Sequence, residues 1–353
     1  MIEKYYDGAI EQVAAGLGTV EKNHLLVRYS GQFSVENLND TKQLEKNEDI
    51  FVQVHEFETG EITCAYEPYL TMICDGFRRY MTGTFEEFME TCDVYYLHRP
   101  VLLGYFNQDN TGREEIILLD EVAYEQERML AALERMLCAI ADRHPVLFVL
   151  NRFQLASKST MQLTARFLKC ENCNIGLVLG VSDVQAMPEF LVPDWEMLYE
   201  TLDDGSKIYH IGNSGRKKEE TIDDEKYVDY GSEKVYRKLQ NMVEFLDFDQ
   251  AAYYLETIER KIKFDNLLVD DAARFRMWLL FVKVSILRQD IPKALEICED
   301  LEKIHLAGKE EECAYEQDYL IATAYMYQGK LKEALEMAGE TSVSYTHLTL
   351  PTT

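Results

Sequence analysis

Five short apolar segments recur along the first two thirds of the chain, each bounded by polar or turn-forming residues. They are HLLVRY at 24–29, IFVQV at 50–54, VLFVL at 146–150, NIGLVLGV at 174–181 and KIYHI at 207–211. Continuous apolar runs of this length predict β-strands, and four of the five are apolar enough to be buried on both faces. Because helical segments separate the strands, we expect a parallel sheet that helices cover.

Apolar residues at steps of three and four predict the helices between these strands. Thr84 with Glu87 three positions later resembles a capping box, which predicts that a helix begins there. The other predicted helices lie at 1–20 (apolar positions Ile2, Tyr5, Tyr6, Ile10 and Val13), within 66–106, at 121–142 and at 157–169.

Beyond residue 235 the strand pattern stops, and the chain has only helical periodicity. Ala251, Ala294 and Ala334 each begin a similar helical segment, at spacings of 43 and 40 residues. Near-constant spacing of this kind indicates stacked helical repeats, in which a small side chain lets two helices cross closely. We therefore predict an α/β domain at 1–225 and a helical repeat array at 235–340.

The charge balance restricts the classes of partner. The 36 Lys and Arg residues against 63 Asp and Glu residues give a formal net charge of −27, which argues against a nucleic-acid-binding surface in this segment. No stretch is apolar enough to span a membrane, and the N-terminus does not resemble a signal peptide. We expect a cytoplasmic protein with reduced cysteines, in which the CxxC at Cys170 and Cys173 is structural rather than a zinc or redox site.

The most specific pattern in the first domain is PVLFVLNRFQLASKSTMQLTARFL at 145–168. This apolar strand, with a polar end, a short loop and a Ser/Thr-rich helix start, resembles the second Walker segment of STAND-class, AAA-like P-loop NTPases. EPYLTMI at 67–73 also resembles a helix of those domains, and AYMYQGKLKEALEM at 324–337 resembles a tetratricopeptide repeat. The resemblance covers residues 20–340 and implies a P-loop-NTPase-like domain followed by tetratricopeptide-like repeats in a signalling protein.

The chemistry of that class needs a GxxxxGK[ST] loop that holds phosphates and acidic residues that hold Mg²⁺. Gly31 follows the first strand, but no Gly-Lys-Ser/Thr comes after it, and Thr41-Lys42 has the residue types in the wrong order. Asn151 and Arg152 occupy the places of the acids. We therefore predict a degenerate site with no catalytic residue, no metal and no cofactor. If ATP or ADP with Mg²⁺ does bind, we expect Gly31, Thr41, Lys42 and Asn151 to hold it.

The C-terminal residues 343–353, VSYTHLTLPTT, lack helical pattern and resemble translated sequencing-adapter read-through, so we interpret them as an artefactual tail of a truncated bacterial-type fragment. The leading hypothesis is a non-enzymatic signalling or regulatory scaffold that binds partner proteins through its repeats, with no contact to nucleic acid or membrane. The alternative hypothesis is a nucleotide-dependent STAND switch that regulates transcription or an output domain that this chain lacks.

Overall fold

The computed structural model describes most of the chain, in several segments. These are residues 2–19, 24–30, 33–58, 60–109, 121–171, 174–182, 187–203, 207–211, 229–301, 303–304 and 310–339. The chain forms two compact units, and the division between them falls at Val228 and Asp229, between the predicted domain limits of 225 and 235.

The first unit is built on a five-stranded sheet. Its strands are β1 (His24–Tyr29), β2 (Phe51–Glu56), β3 (Val146–Asn151), β4 (Ile175–Ser182) and β5 (Lys207–Ile211). They lie in the order β2-β3-β4-β1-β5, and every neighbouring pair is parallel. The prediction of a parallel sheet with helices is therefore confirmed.

Burial along the strands follows their places in the sheet. β3 and β4 are central, and all of their residues are buried. β2 lies at an edge, and only Phe51 in it is fully buried. The apolar pattern therefore overstated the burial of β2, because an edge strand has a neighbour on one side only.

Among the described residues, the first unit has eight α-helices. They are α1 (Ile2–Gly16), α2 (Asn39–Leu44), α3 (Tyr69–Tyr80), α4 (Phe85–Thr91), α5 (Arg99–Asn107), α6 (Val122–Ala141), α7 (Lys158–Lys169) and α8 (Val192–Asp203). The predicted capping box begins α4: Thr84 accepts a hydrogen bond from the Glu87 N–H, and Glu87 accepts one from the Thr84 N–H.

Helix α1 covers one face of the sheet and runs antiparallel to β4. Val13 lies against Gly176 near the start of β4, and Tyr6 lies against Gly180 near its end. Of the apolar positions noted in this helix, Tyr6, Ile10 and Val13 are buried, whereas Tyr5 is 55% exposed. Adjacent positions on a helix point about 100° apart, so Tyr5 and Tyr6 cannot both face the sheet fully.

The opposite face carries an aromatic core. Tyr69 of α3 packs on Phe148 of β3 and Phe167 of α7, with ring centroids 4.7 and 5.2 Å apart. Gly76 of α3 lets Ile140 of α6 approach closely, since a Cβ there would lie 2.9 Å from Ile140 Cγ2. The sheet is therefore covered on both faces, as the apolar strands require.

The second unit is helical throughout the residues described. It comprises α9 (Glu233–Glu244), α10 (Phe248–Phe264), α11 (Asp271–Leu287), α12 (Ile291–Leu301), α13 (Glu310–Tyr327) and a further helix, α14, over 331–339. Of the three alanines predicted at close crossings, Ala251 and Ala294 are completely buried at helix starts, whereas Ala334 is only partly buried.

Three helix junctions in this unit repeat the same turn. Leu246, Gln289 and Gly329 all have positive φ, at 66°, 62° and 81°, and their spacings are the same 43 and 40 residues. In each junction the next residue donates its N–H to the carbonyl five positions back: Asp247 to Met242, Asp290 to Ser285, and Lys330 to Tyr325. This is the Schellman pattern that ends a helix. The three junctions form an internal structural repeat.

Among the residues that the structure describes, none of the helices has both the length and the apolar character needed to cross a bilayer.

Candidate functional site

The carboxyl ends of β1, β3 and β4 form the place where a ligand of this fold is expected. β2 and β5 are the two edges of the sheet. After β1 the chain continues to the β2 edge, and after β4, the neighbour of β1, it continues to the β5 edge. Connections that diverge from neighbouring strands leave a crevice at the carboxyl ends, and ligands of open α/β sheets bind there. Tyr29, Asn151 and Ser182 are the last residues of the three strands.

Asn151 has hydrogen-bond partners for both atoms of its side-chain amide. Its Oδ1 accepts from Tyr29 Oη at 2.8 Å and from Tyr6 Oη at 3.4 Å, and its Nδ2 donates to the Phe33 carbonyl at 3.1 Å. The side chain is completely buried. A metal ligand needs a free oxygen lone pair that faces the ion, and here the oxygen already accepts two hydrogen bonds. We name Tyr6, Tyr29, Phe33 and Asn151 the Asn151 cluster.

Three aromatic rings pack together beside the amide. The Phe33 centroid lies 5.0 Å from that of Tyr6 and 5.6 Å from that of Tyr29, and the two tyrosines are 6.4 Å apart. All three side chains are at least 92% buried. Phe33 comes from the loop after β1, the loop that cradles phosphate in P-loop proteins. Here that loop places an apolar ring against the end of the sheet.

Gly180 of β4 makes the cluster possible. A Cβ at this position would lie 1.8 Å from Tyr6 Oη and 2.5 Å from Asn151 Oδ1. Both distances are far below van der Waals contact, so any larger residue would displace the hydroxyl or the amide. The glycine in a central strand thus marks a close approach by another element.

Glu56 is an acidic side chain beside the cluster, and contacts from Ser34, Val35 and Arg152 hold its carboxylate. It ends β2, directly beside Asn151 in the sheet register. Its Oε2 accepts from Ser34 Oγ at 2.9 Å and from the Val35 N–H at 3.1 Å, while Arg152 Nε lies 3.4 Å from its Oε1. The carboxylate therefore holds the loop after β1 and Arg152 in place.

Burial controls the ionisation of the two tyrosines. Burial raises the pKa of Tyr6 well above 10.0, and the nearby Tyr29 and Glu56 raise it further. Burial also raises the pKa of Tyr29 to about 12, although Arg152 pulls it in the opposite direction. Both hydroxyls consequently stay protonated at neutral pH and can act as the donors that Asn151 needs.

The residues predicted for a nucleotide site lie in different surroundings. Thr41 is buried on α2, where its hydroxyl donates to the Leu38 carbonyl at 3.1 Å. Lys42, the next residue, is exposed. Gly31 lies outside the described residues. Asn151 is enclosed by the cluster, and the partners described for it come from α1, β1 and the loop residue Phe33, not from α2.

The Ser/Thr-rich start of α7 serves as an internal anchor. Ser157 caps the helix and lies 3.0 Å from Ser159 Oγ and 2.8 Å from Thr160 Oγ1. Thr160 donates to the Glu67 carbonyl at 2.8 Å, and Ser159 accepts from the Tyr66 N–H at 3.0 Å. These hydroxyls fix the segment that precedes α3, so their polar atoms are committed to the fold.

The other chemical candidates do not form a site within the part of the chain described. Cys170 follows α7, and its CxxC partner Cys173 lies outside that part. His98 is fully buried, with Nε2 3.1 Å from Glu125 Oε2. No three His, Cys, Asp or Glu side chains come together as a potential metal-binding group among the described residues.

Asn151 stands out in the sequence as the polar end of an apolar strand, whereas no sequence pattern links it to the residues that surround it. Tyr6 and Asn151 are 145 positions apart, and no periodicity pairs them. One signal was available: Gly180 interrupts an otherwise bulky apolar strand, and such a glycine indicates that a side chain from elsewhere approaches the backbone.

No protein-family model matches the chain, and a comparison with curated proteins gives no match either.

Proposed function

We propose that this protein is a non-enzymatic regulatory scaffold: its helical array binds partner proteins, and its α/β unit is a degenerate, P-loop-NTPase-like domain that does not use nucleotide. The single observation that carries the proposal is the Asn151 cluster. Tyr6, Tyr29 and Phe33 lie at the carboxyl end of the sheet, where a nucleotide phosphate and its Mg²⁺ would bind.

The energetics of the cluster oppose a ligand there. To reach Asn151, a ligand would have to displace the aromatic rings and break three hydrogen bonds of the amide. Each buried polar group left unpaired costs about 1–3 kcal/mol. The nearby cation Arg152 lies against Glu56, so a polyphosphate would also compete with that ion pair.

The helical array supports the binding half of the proposal. Its three repeated turns stack similar helices one after another, an arrangement that creates extended surfaces for protein partners in repeat proteins. Within the array, an ion pair also joins two of the helices: the Glu259 carboxylate of α10 accepts hydrogen bonds from Lys293 Nζ of α12 at 3.0 and 2.9 Å. A rigid array of this kind keeps a binding surface preorganised.

A thermal-shift titration tests the nucleotide half. We expect no change in Tm when the full chain is mixed with millimolar Mg-ATP or Mg-ADP. A ligand present at 100 times its Kd would stabilise the folded state by about 2.7 kcal/mol, which raises Tm by several degrees. A saturable upward shift would overturn the proposal.

If such a shift appears, two lysine variants distinguish the alternative function from non-specific binding. Lys42→Ala should abolish the shift if the chain is a nucleotide-dependent switch that uses Thr41, Lys42 and Asn151. Lys46→Ala is the matched control, since Lys46 is also exposed and follows the same short helix. Equal loss in both variants would indicate weak charge attraction rather than a nucleotide site.

A further inference from the structure

Two cysteine thiols from different elements touch in the first unit. Cys138 lies in α6, Cys170 directly follows α7, and their Sγ atoms are 3.6 Å apart. Both are partly exposed, whereas Cys74, Cys92 and Cys298 are buried. None of these five cysteines forms a disulfide in the structure. The touching pair is therefore less enclosed than the three buried cysteines, and its two sulfur atoms are already neighbours.

Only a small movement separates the two thiols from a covalent bond. A disulfide has an S–S distance of about 2.0 Å, so the sulfur atoms need to approach by about 1.6 Å. Cys170 is the C-cap residue of α7 and has an extended backbone (ψ 139°). Its side chain can therefore shift without disturbing the interior of the helix. Arg166 pairs with Glu134 at 2.8 Å and also with Glu127, which keeps α7 beside α6 during the reaction.

We propose that Cys138 and Cys170 are a thiol–disulfide modification site, which a small-molecule disulfide such as oxidised glutathione converts to an intramolecular disulfide. One of the two protein thiolates attacks one sulfur of glutathione disulfide and releases one glutathione thiolate. The other protein thiolate then attacks the protein sulfur of the mixed disulfide and releases the second glutathione. The two protein thiols lose two electrons and two protons, and glutathione disulfide gains them as two glutathione thiols.

The contact between the two thiols makes the reaction depend on pH. Its hydrogen bond with Cys170 and its burial raise the pKa of the Cys138 thiol far above the ordinary value, with Glu134 and Asp142 adding to the effect. Because the thiolate is the attacking species, the rate of disulfide formation rises with pH.

The disulfide would close a loop that contains β3, Asn151 and all of α7. Closing a loop in the unfolded chain stabilises the folded protein. Oxidation would thus strengthen the segment on which the Asn151 cluster is built. This inference does not rest on the proposed function, because neither Cys138 nor Cys170 belongs to the Asn151 cluster.

The experiment treats the reduced full chain with glutathione buffers of increasing oxidised fraction, blocks the remaining thiols and analyses the digest by mass spectrometry. We expect a peptide pair linked through Cys138 and Cys170. We also expect a Tm rise of about 5 °C or more, which dithiothreitol reverses. Cys64→Ser, which removes another partly exposed thiol, is the matched control and should leave both results unchanged.

Cys138→Ser and Cys170→Ser should each eliminate the linked pair and the Tm rise. In each of these variants a glutathione adduct should accumulate on the remaining thiol, because the second thiol that would displace glutathione is absent. Cys138→Ala provides a second variant if the serine hydroxyl disturbs folding. A Cys170–Cys173 link, or glutathione adducts without any link between Cys138 and Cys170, would overturn the proposal.

Discussion

Tyr6 and Gly180 are in such close contact that a methyl group at Gly180 would lie 1.8 Å from the tyrosine hydroxyl. The contact joins the N-terminal helix to the end of a central strand, and it places the Tyr6 hydroxyl beside Asn151. The packing of the crevice at the carboxyl end of the sheet therefore depends on a residue with no side chain.

Gly180→Ala should destabilise the first unit by about 1–3 kcal/mol, because the added methyl overpacks a filled core. Urea unfolding measures the change in free energy. Gly8→Ala on α1 is the matched control: nothing lies within 4 Å of a Cβ there, so alanine should be neutral or stabilising. The double variant Gly180→Ala/Tyr6→Phe should lose less stability than the sum of the two single variants, since the atom that clashes is absent. Strict additivity would contradict the contact.

Asn151→Asp should destabilise the protein by about 2–4 kcal/mol at pH 7, because it buries a charge and removes the donor to the Phe33 carbonyl. The loss should shrink as the pH falls, since protonation of the carboxylate removes the buried charge. Urea unfolding at pH 5 and pH 8 measures both effects.

The same variant also tests whether one acid is enough for nucleotide binding. We expect no thermal shift with Mg-ATP for Asn151→Asp, because Phe33 and the two tyrosines still enclose the side chain at position 151. A saturable shift would show that the missing acid alone keeps nucleotide away from this site.

Stability should decrease in alkaline solution through the buried tyrosines. Tyr29 has a folded pKa of about 12 against an ordinary value of 10.0. The buried, protonated hydroxyl contributes to the free energy of unfolding. This contribution is complete below pH 10 and is lost as the pH rises from 10 to 12, because the unfolded chain releases the proton at a lower pH than the folded chain. Tyr29→Phe should reduce the slope of Tm against pH in this range, although it lowers Tm at pH 7 by removing the bond to Asn151. An unchanged slope would argue against a buried Tyr29 hydroxyl.

The sheet could be predicted because each strand carries its own signal. The apolar runs of β3 and β4 are continuous, and a parallel sheet covered by helices is the arrangement that buries both of their faces. The composition of the Asn151 cluster could not be predicted, because it depends on where α1 crosses the sheet. Tyr6 meets Asn151 only after β1, β3 and β4 have assembled, and a local pattern cannot encode a contact over 145 residues.

In the helical repeat, too, one part could be predicted from the sequence and another could not. The alanine spacing predicted repeated units, and Gly329 was the residue expected at a turn. The matching turns have Leu246 and Gln289 at the position with positive φ. These residue types rarely adopt positive φ, so nothing in the sequence predicts a turn there. Backbone hydrogen bonds shared by the three junctions, rather than shared residue types, define the repeat.

An exchange of residues between two of these turns tests whether they are equivalent. Gln289→Gly should stabilise the array by about 0.5–1 kcal/mol, because glycine adopts a φ of 62° without a steric penalty. Gly329→Gln should destabilise it by a similar amount, since it introduces that penalty at a φ of 81°. Guanidinium unfolding followed by circular dichroism measures both changes in free energy. Gln328→Gly, one position before the third turn, is the control and should destabilise the helix end. If Gln289→Gly also destabilises the protein, the two turns are not equivalent.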